Sequence, residues 1–352
     1  MNNTTKLGNF ISEYSVRNRA GDDIPVYSVT NKEGFCRDYF SKDVASQDRS
    51  TYKIVPRGCF AYNPSRINVG SVDWQRKEDR VIVSPLYVVF SVSKELDQQY
   101  LYYYLKSEKC LYYIKELASG SVRDNLKLSM LKKFTIPNIT LEEQRKAVTV
   151  LEQTDRLITL QERQMTVLDE LVKSRFFELF YDKGYPVLKW NEVFSTTTGK
   201  LDSNAAVVGG EYPFFTCSKE TLRIDKYAFE QEALLLAGNN AAGKYDVKYY
   251  NGRFNAYQRT YVLELKENWS YRLFQCQLED KLEYLQQQSL GGLTKYLTLK
   301  ILGELSFIIP PKELQNEFEG FIAEVDKSKL AVKQSLEKLE TLKKTLMQQY
   351  FG

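Results

Sequence analysis

The chain has 352 residues, which exceeds the usual size of one domain, and 43% of them are apolar, enough for more than one hydrophobic core. Its formal net charge of +4 is too small to indicate histone-like binding of nucleic acid. The sequence contains no histidine, which excludes the commonest general base, the usual serine and cysteine triads and most metal sites.

Cysteine usage and hydropathy favour a cytoplasmic protein. The N-terminal residues lead into no signal-peptide core, and no apolar run approaches the roughly 18 residues of a membrane span. We therefore expect no membrane contact. The cysteines are odd in number and scattered, so they predict neither a disulfide framework nor a zinc site. We expect them to be small core residues: Cys36, Cys59, Cys110, Cys217 and Cys276.

Residues 1–139 have the pattern of a mixed α/β domain. Strand-like runs occur at 24–30 and 81–83, and a predicted helix extends from its N-cap Asp97 to Leu117. A stretch rich in Gly, Asn and Ser carries side chains suited to direct DNA readout, because Arg matches guanine, Asn and Gln match adenine, and Lys binds phosphate. These candidates are Arg57, Asn63, Arg66, Gln75, Arg76 and Lys77. Ordinary solvated loops are the alternative interpretation.

Residues 140–182 predict one long spacer helix. Thr140 and Glu143 form a capping box at its start, and Gly184 followed by Pro186 ends it. Apolar residues then recur at alternating spacings of three and four, the heptad pattern of a helix that buries one narrow seam against a partner helix. The predicted seam consists of Leu151, Ile158, Met165, Leu168 and Val172, with Thr154 and Gln161 as polar layers.

Residues 183–311 repeat the plan of the first domain. The run at 212–218 resembles the run at 24–30, and a second predicted helix extends from its N-cap Ser270 to Gln288. This domain also carries a cluster suited to DNA readout: Asn239, Asn240, Lys244, Arg253, Tyr257, Gln258 and Arg259. Because comparable clusters occur at comparable places in both copies, we favour a DNA-binding function for them.

One segment of this domain looks like a nucleotide-binding loop. Residues 238–244 (GNNAAGK) fit the phosphate-loop pattern up to its last position. Tyr245 stands where Ser or Thr would hold magnesium, and the next residues predict a strand that ends in an Asn251-Gly252 hairpin turn. We therefore predict that the loop binds no nucleotide.

Residues 312–352 repeat the spacer helix, with Val325 matching Leu151 at an offset of 174 positions. The predicted seam is Val325, Val332, Leu339, Leu342 and Leu346, with Ser328 and Ser335 as polar layers. Each long helix needs a partner, and the simplest partner is the other copy, packed antiparallel. Two amphipathic helices packed on separate cores are the alternative.

The sequence thus predicts an α+β (mixed α/β) fold built from a duplication. Two pseudo-repeated domains, residues 1–139 and 183–311, are joined by two long antiparallel coiled-coil helices, residues 140–182 and 312–352. Neither a metal site nor a catalytic group is expected, because no carboxylate cluster with lysine has a convincing spacing.

Local motifs accompany this order. The domains open with KLGNFI at 6–11 and WNEVF at 190–194, and GSVR at 120–123 leads into Ile136-Pro137 and LEEQ at 141–144. By these features the chain resembles, over nearly its whole length, the DNA-specificity subunits of type I restriction-modification systems. The second copy departs from the helix-entry motif, with PKELQNE at 311–317.

The resemblance implies a noncatalytic subunit that binds double-stranded DNA. Two target-recognition domains would each recognise one half of a bipartite target. The exposed residues of the helices, within 142–177 and 317–350, would dock two methyltransferase subunits and the restriction subunits that translocate and cut DNA. S-adenosylmethionine, ATP and Mg²⁺ are expected only on those partners. The alternatives are a coiled-coil scaffold that binds protein or RNA, and a fused nuclease or methyltransferase with an unrecognised site.

Overall fold

A computed structural model describes residues 3–37, 49–118, 125–241, 243–292 and 294–352. The chain forms two compact units, Met1–Glu162 with Gln334–Gly352, and Arg163–Lys333. Each unit contains one mixed α/β domain and one half of each long helix. The GSVR motif at 120–123 lies outside the described residues. The domain boundaries given above stay predictions.

The first domain is built on an antiparallel sheet of order β2-β9-β6-β7, with β1-β10, β3-β4 and β5-β8 as separate antiparallel pairs. Its strands are β1 (Thr4–Lys6), β2 (Ile11–Glu13), β3 (Ser28–Thr30), β4 (Gly34–Cys36), β5 (Lys53–Pro56), β6 (Phe60–Tyr62), β7 (Val72–Trp74), β8 (Arg80–Val83), β9 (Val88–Val92) and β10 (Thr135–Pro137). Its helices are α1 (Gln98–Leu105), α2 (Glu108–Ala118) and α3 (Leu128–Leu131), and the long helix α4 (Leu141–Phe180) follows. Buried aromatic residues, including Phe60, Phe90 and Tyr100, fill the core between sheet and helices.

The second domain is built on a sheet of order β12-β18-β15-β17-β13-β14. Its strands are β11 (Val187–Lys189), β12 (Phe194–Thr198), β13 (Tyr212–Phe215), β14 (Leu222–Ile224), β15 (Phe229–Ala237), β16 (Asn239–Asn240), β17 (Val247–Ala256), β18 (Thr260–Leu265), β19 (Lys295–Tyr296) and β20 (Ser306–Ile308). Its helices are α5 (Trp190–Val193), α6 (Tyr271–Asp280), α7 (Leu282–Gln288) and α8 (Leu299–Gly303), and the long helix α9 (Lys312–Phe351) follows. Strand β13 runs parallel to β17, and the other pairs in this sheet are antiparallel.

The predicted helix from Asp97 to Leu117 is two helices. Asp97 does cap the first, because its carboxylate accepts the backbone N–H groups of Gln99 and Tyr100. The helix ends before Ser107, and a new helix begins after it. The Ser107 hydroxyl donates to the Tyr104 carbonyl at 2.7 Å and accepts the N–H of Cys110 at 3.2 Å. The predicted helix from Ser270 to Gln288 is also two helices, α6 and α7, which are separated at Lys281.

The duplication is visible in the topology of the two domains. The order β2-β9-β6-β7 in the first corresponds to β12-β18-β15-β17 in the second, and the pair β1-β10 corresponds to β11-β20. One backbone bond is repeated as well. The Leu126 N–H donates to the Pro64 carbonyl at 3.2 Å, and the Leu297 N–H donates to the Gly238 carbonyl at 2.8 Å. These leucines lie 171 positions apart.

The long helices pack against each other within each unit. In the first unit, Lys343 near the end of α9 pairs with Asp155 in the first half of α4, with 2.6 Å between Nζ and Oδ1. In the second unit, Phe180 at the end of α4 meets Phe318 near the start of α9, with ring centroids 5.3 Å apart. The pairing of starts with ends makes the helices antiparallel, and the prediction of two long helices that pack together is confirmed.

Most of the predicted seam residues are buried or half-buried: Leu151, Val325 and Val332 are buried, and Ile158, Met165, Leu168, Val172, Leu339 and Leu346 are half-buried. Leu342 is a correction, because it is 46% exposed. The position that faces α4 is taken by Lys343, whose ammonium group reaches Asp155. Ser328 is likewise exposed, and the neighbouring Lys329 pairs with Asp169 at 2.6 Å.

The predicted offset of 174 between the helices is also corrected. Both helices have 40 residues, and their first residues, Leu141 and Lys312, lie 171 positions apart. The buried glutamines near their starts, Gln144 and Gln315, have the same offset. The match of Leu151 with Val325 is therefore displaced by about one helical turn.

Candidate nucleic-acid interface

The predicted DNA-binding residues of the first domain lie at two ends of the β6-β7 hairpin. Asn63 and Arg66 belong to the loop that joins the two strands. At the open end of the hairpin, Arg57 precedes β6, and Gln75, Arg76 and Lys77 follow β7. The cluster inferred from the sequence is therefore two separate groups.

The hairpin loop is a well-ordered turn that presents Arg66. The Asn63 Oδ1 accepts the Ser65 N–H at 3.1 Å and the Ser65 hydroxyl at 2.9 Å. The buried Ile67 anchors the loop in the core, and Gly70 takes the left-handed conformation at φ 84 that closes it. Arg66 is exposed and forms no ion pair within the described part of the chain. Its guanidinium is available for an external ligand.

The charged side chains at the open end already have partners in the protein. Arg57 lies 3.3 Å from Asp79, and Lys77 donates to the Phe35 carbonyl at 2.8 Å. Gln75 is 0% exposed, and its Oε1 accepts the Lys77 N–H at 2.8 Å. The amide of Gln75 therefore shapes this turn and lies away from the surface.

Arg76 is positioned by Asp73, which sequence reasoning missed. Its guanidinium lies 3.0 Å from the Asp73 carboxylate and 5.0 Å from the centroid of the Trp74 ring. The buried Asp73 also accepts the backbone N–H groups of Phe35 and Trp74. No local pattern distinguishes this carboxylate from an exposed one, because its burial depends on the pairing with Phe35, which lies on another strand.

The candidates of the second domain, apart from Arg253, gather around two loops that touch. One loop, residues 238–246, follows β15, and the other, residues 257–259, joins β17 to β18. The Gly238 N–H donates to the Arg259 carbonyl at 2.8 Å. A Cβ atom at Gly238 would lie 2.4 Å from that oxygen, so only glycine allows this approach. The contact brings together Asn239, Asn240, Lys244, Tyr257, Gln258 and Arg259.

This pair of loops presents polar and basic groups to solvent. Lys244, Gln258 and Arg259 are exposed, while Asn239 and Asn240 are half-buried. The Asn240 Oδ1 accepts the Lys244 N–H at 3.3 Å, which shapes the loop. The arrangement combines amides, a guanidinium and an ammonium group on one surface, which is the chemistry of base and phosphate contacts.

The segment 238–244 lacks the geometry of a phosphate loop. The extended strand β17 follows it, so no helix N-terminus points at the loop. Tyr245, at the position of the missing Ser or Thr, is buried in the core, and burial raises the pKa of its hydroxyl. The prediction that a strand follows this loop is confirmed. The predicted hairpin turn at Asn251-Gly252 is wrong, because β17 continues through both residues, which pair with Glu232 and Gln231 of β15.

Arg253 lies elsewhere in the second domain. It sits within β17, where its Nε donates to Glu230 at 2.9 Å and its guanidinium lies 5.0 Å from the Tyr227 ring centroid. The hydrogen bond to Glu230 raises the pKa of the guanidinium. Arg253 is therefore in a different environment from the loop pair.

The two domains place their candidate loops at corresponding positions. The loop 63–71 joins β6 to β7, and the loop 238–246 joins β15 towards β17, its counterpart strand. The Leu126 N–H binds the carbonyl of Pro64, the second residue of the loop 63–71. The Leu297 N–H binds the carbonyl of Gly238, the first residue of the loop 238–246. By the same correspondence, the turn before β9 matches residues 257–259. It carries Leu86, which is 77% exposed and which charge patterns do not reveal.

The described residues show neither a metal cluster nor a membrane helix. In the described ranges, no three acidic or cysteine side chains gather closely enough to hold a metal ion. No helix of the same ranges has the length and apolar content needed to cross a membrane. Cys36, Cys59 and Cys110 are buried, and burial raises the pKa of the Cys110 thiol to about 12.

Parts of the chain are similar in sequence to known specificity subunits of type I restriction enzymes. A segment of 157 residues, 43% of this chain, is 34% identical to the type I restriction enzyme EcoDI specificity subunit of Escherichia coli and covers 34% of that protein. A segment of 84 residues, 24% of this chain, is 37% identical to the MjaIX specificity subunit of Methanocaldococcus jannaschii and covers 19% of it. The matches thus span only a minor part of these relatives.

Solved structures share the whole fold. A type I restriction-modification S subunit from M. genitalium has a TM-score of 0.60 at 16% identity, with 99% of this chain and 96% of that chain covered. A chain from a study of complex assembly and conformational transition in a type I system has a TM-score of 0.56 at 16% identity, covering 99% and 97%. The model of the type I restriction modification DNA specificity domain matches residues 8–170 and again 183–342. Because these two matches cover most of the sequence, the chain belongs to the type I restriction modification DNA specificity family.

Proposed function

We propose that the chain is a noncatalytic specificity subunit in which each domain recognises one half of a bipartite double-stranded DNA target. The observation that carries this proposal is the pair of polar, basic loops at corresponding positions of the duplicated fold, residues 63–71 and 238–246. A duplicated fold with a loop of similar chemistry in each copy is suited to two separate half-sites. The family membership and the relatives named as specificity subunits support the same role.

The exposed and half-buried members of these loops are the proposed base-contacting residues. Arg66 in the first domain and Arg259 in the second have the donor geometry that matches guanine, and Asn239 and Gln258 match adenine. Lys244 suits a phosphate. Arg57, Arg76, Lys77 and Arg253 stay candidates for phosphate contacts, in which a phosphate would replace the present carboxylate or carbonyl partner.

We also propose that methyltransferase subunits dock along the long helices. Helix α4 carries a second apolar row beside its buried seam, with spacings of seven, three, seven and four residues: Val150, Leu157, Leu160, Val167 and Leu171. Each is between 38% and 50% exposed. Such a row is suited to the apolar stripe of a further helix.

The charges beside this row suggest the complementary chemistry of the partner. Arg156 and Arg163 are exposed next to the row, and neither records an ion pair within the described residues. An amphipathic partner helix with acidic residues along one edge would pair with them. S-adenosylmethionine would bind to the methyltransferase subunits, and ATP and Mg²⁺ to the restriction subunits that join the complex.

Mapping DNA methylation tests this function. If a methyltransferase is encoded beside this chain, the two are expressed together, and methylated adenines are mapped across the host DNA. A bipartite motif with a fixed unread gap is the expected result. A contiguous motif would mean that one domain alone recognises DNA. Absence of methylation, with an active methyltransferase bound to this chain, would refute the proposal.

A further inference from the structure

Two buried glutamines occupy the same place in the two copies of the fold. Gln144 is the fourth residue of α4 and is 3% exposed, and Gln315 is the fourth residue of α9 and is 2% exposed. A long polar side chain is seldom buried to this degree unless its hydrogen bonds are satisfied. Both side chains form hydrogen bonds with backbone groups.

Each glutamine connects the start of a domain helix to the start of a long helix. The Gln144 Oε1 accepts the N–H of Asp97, the N-cap of α1, at 2.8 Å. Its Nε2 donates to the carbonyls of Ile139, just before α4, and Glu95, both at 3.1 Å. In the second copy, the Gln315 Oε1 accepts the N–H of Ser270, the N-cap of α6, at 3.0 Å. The Gln315 Nε2 donates to the Pro310 carbonyl at 2.8 Å.

These bonds complete a capping box from outside the capped helix. In an ordinary capping box, a Glu or Gln three residues after the N-cap binds the N-cap backbone N–H. The corresponding residues here are Tyr100 in α1 and Leu273 in α6, neither of which has the carboxylate or amide oxygen of a capping box. The long helix supplies the missing acceptor in both copies. One amide group therefore fixes each domain helix relative to its long helix.

We propose that Gln144 and Gln315 are positioning residues that set how strictly one gap length is required between the two half-sites. The inference rests on the proposed recognition of a bipartite target. Changing the gap by one base pair shifts a half-site by roughly 3.4 Å and rotates it by roughly 35° about the DNA axis. A domain held rigidly on its long helix cannot follow this rotation. Removing the amide link loosens the junction and lets the domain adapt to a wrong gap.

The test compares methylation of DNA substrates that differ only in gap length. The purified chain with its methyltransferase partner is assayed on the correct gap and on gaps one base pair shorter and longer. Gln144→Met and Gln315→Met keep the side-chain length and remove the hydrogen bonds. Each is expected to reduce the preference for the correct gap about tenfold, with unchanged half-site sequences.

Two further variants distinguish positioning from general stability. Glu143→Met removes the bonds that the Thr140 N–H and hydroxyl donate to the Glu143 carboxylate at the same helix start, and it should keep the wild-type gap preference. Gln144→Leu is neutral and removes the bonds to Asp97, Ile139 and Glu95, so it should fold and still accept wrong gaps. It also covers the case in which Gln144→Met fails to fold.

The outcomes separate the two proposals. Equal loss of methylation at every gap length in a glutamine variant, including complete loss, would overturn the positioning role, because this result indicates only a structural role. An unchanged gap preference in folded Gln144→Leu would overturn it as well. A wild-type chain that gives no bipartite motif would instead overturn the proposed function.

Discussion

The contact between the two loops of the second domain can be broken by one methyl group. The Cβ of Gly238→Ala would lie 2.4 Å from the Arg259 carbonyl oxygen and 3.0 Å from the Tyr261 ring, whereas ordinary contacts are 3.4–4 Å. The backbone of the turn must therefore move by roughly 1 Å, since Arg259 offers a carbonyl and no flexible side-chain end. Overpacking costs about 1–3 kcal/mol. Loss of the 2.8 Å hydrogen bond from Gly238 adds about 1 kcal/mol.

The substitution should affect one half-site and leave the other intact. A destabilisation of about 2–4 kcal/mol predicts a Tm lower by about 4–16 °C for a unit of this size. The displaced turn carries Gln258 and Arg259, so the bases recognised by the second domain should become degenerate. Calorimetry measures the first effect, and the map of methylated adenines in co-expressing cells measures the second.

A matched substitution controls for the added methyl group. Gly303→Ala, in α8 of the same domain, places a Cβ with no neighbour within 4 Å, and it should keep both half-sites and the wild-type Tm. An intact second half-site in Gly238→Ala would refute the claim that the loop contact shapes recognition. Degeneration of both half-sites would contradict independent recognition by the two domains.

Arg66→Ala should relax the first half-site and Arg259→Ala the second, each by about 1–3 kcal/mol of discrimination, measured on substrates with single base changes; loss of both half-sites in either variant would contradict the assignment. Leu157→Asp should weaken copurification of the methyltransferase, whereas Ser328→Asp, 171 positions later on α9, should have little effect; equal effects would refute docking on the apolar row. Tyr249 donates to Glu232 at 2.8 Å, and burial with this carboxylate raises its pKa to about 12. The folded state thus binds the phenolic proton more tightly, so its contribution to stability is present below pH 10 and is lost as the pH rises towards 12. Tyr249→Phe should show a smaller alkaline loss in denaturant titrations, and an equal loss would contradict this account.

Local signals in the sequence predicted where helices begin but not where they break. Asp97, Thr140 and Ser270 are all next to helix starts, because an N-cap depends on neighbouring residues alone. The division at Ser107 was not predicted, since apolar residues continue through it with helical spacing. The break depends on bonds between the Ser107 hydroxyl and the backbone of adjacent turns.

Composition predicted the chemistry of the candidate interface better than its geometry. From the sequence, Arg66 and Gln75 are equally good candidates for DNA binding, because both lie in a polar stretch between strands. In the fold, Arg66 is exposed, whereas Gln75 is buried and binds the Lys77 backbone. The difference arises from the pairing of β6 with β7, which places one residue at the hairpin loop and the other at the open end. Tertiary pairing of this kind has no local signature.

The offset between the long helices shows which residues carry register information. A heptad pattern matches itself well after a shift of three or four residues, since its apolar positions alternate at those spacings. Apolar matching therefore could not separate an offset of 174 from one of 171. Gln144 and Gln315 are buried near the starts of their helices and are held by bonds to their own domains, so they define the offset without ambiguity. The periodic residues hold the helices together, while these non-periodic glutamines fix where each domain sits on its helix. Variation of the helix repeat and variation of the glutamines should accordingly change different properties, the length of the gap in one case and the strictness of the gap in the other.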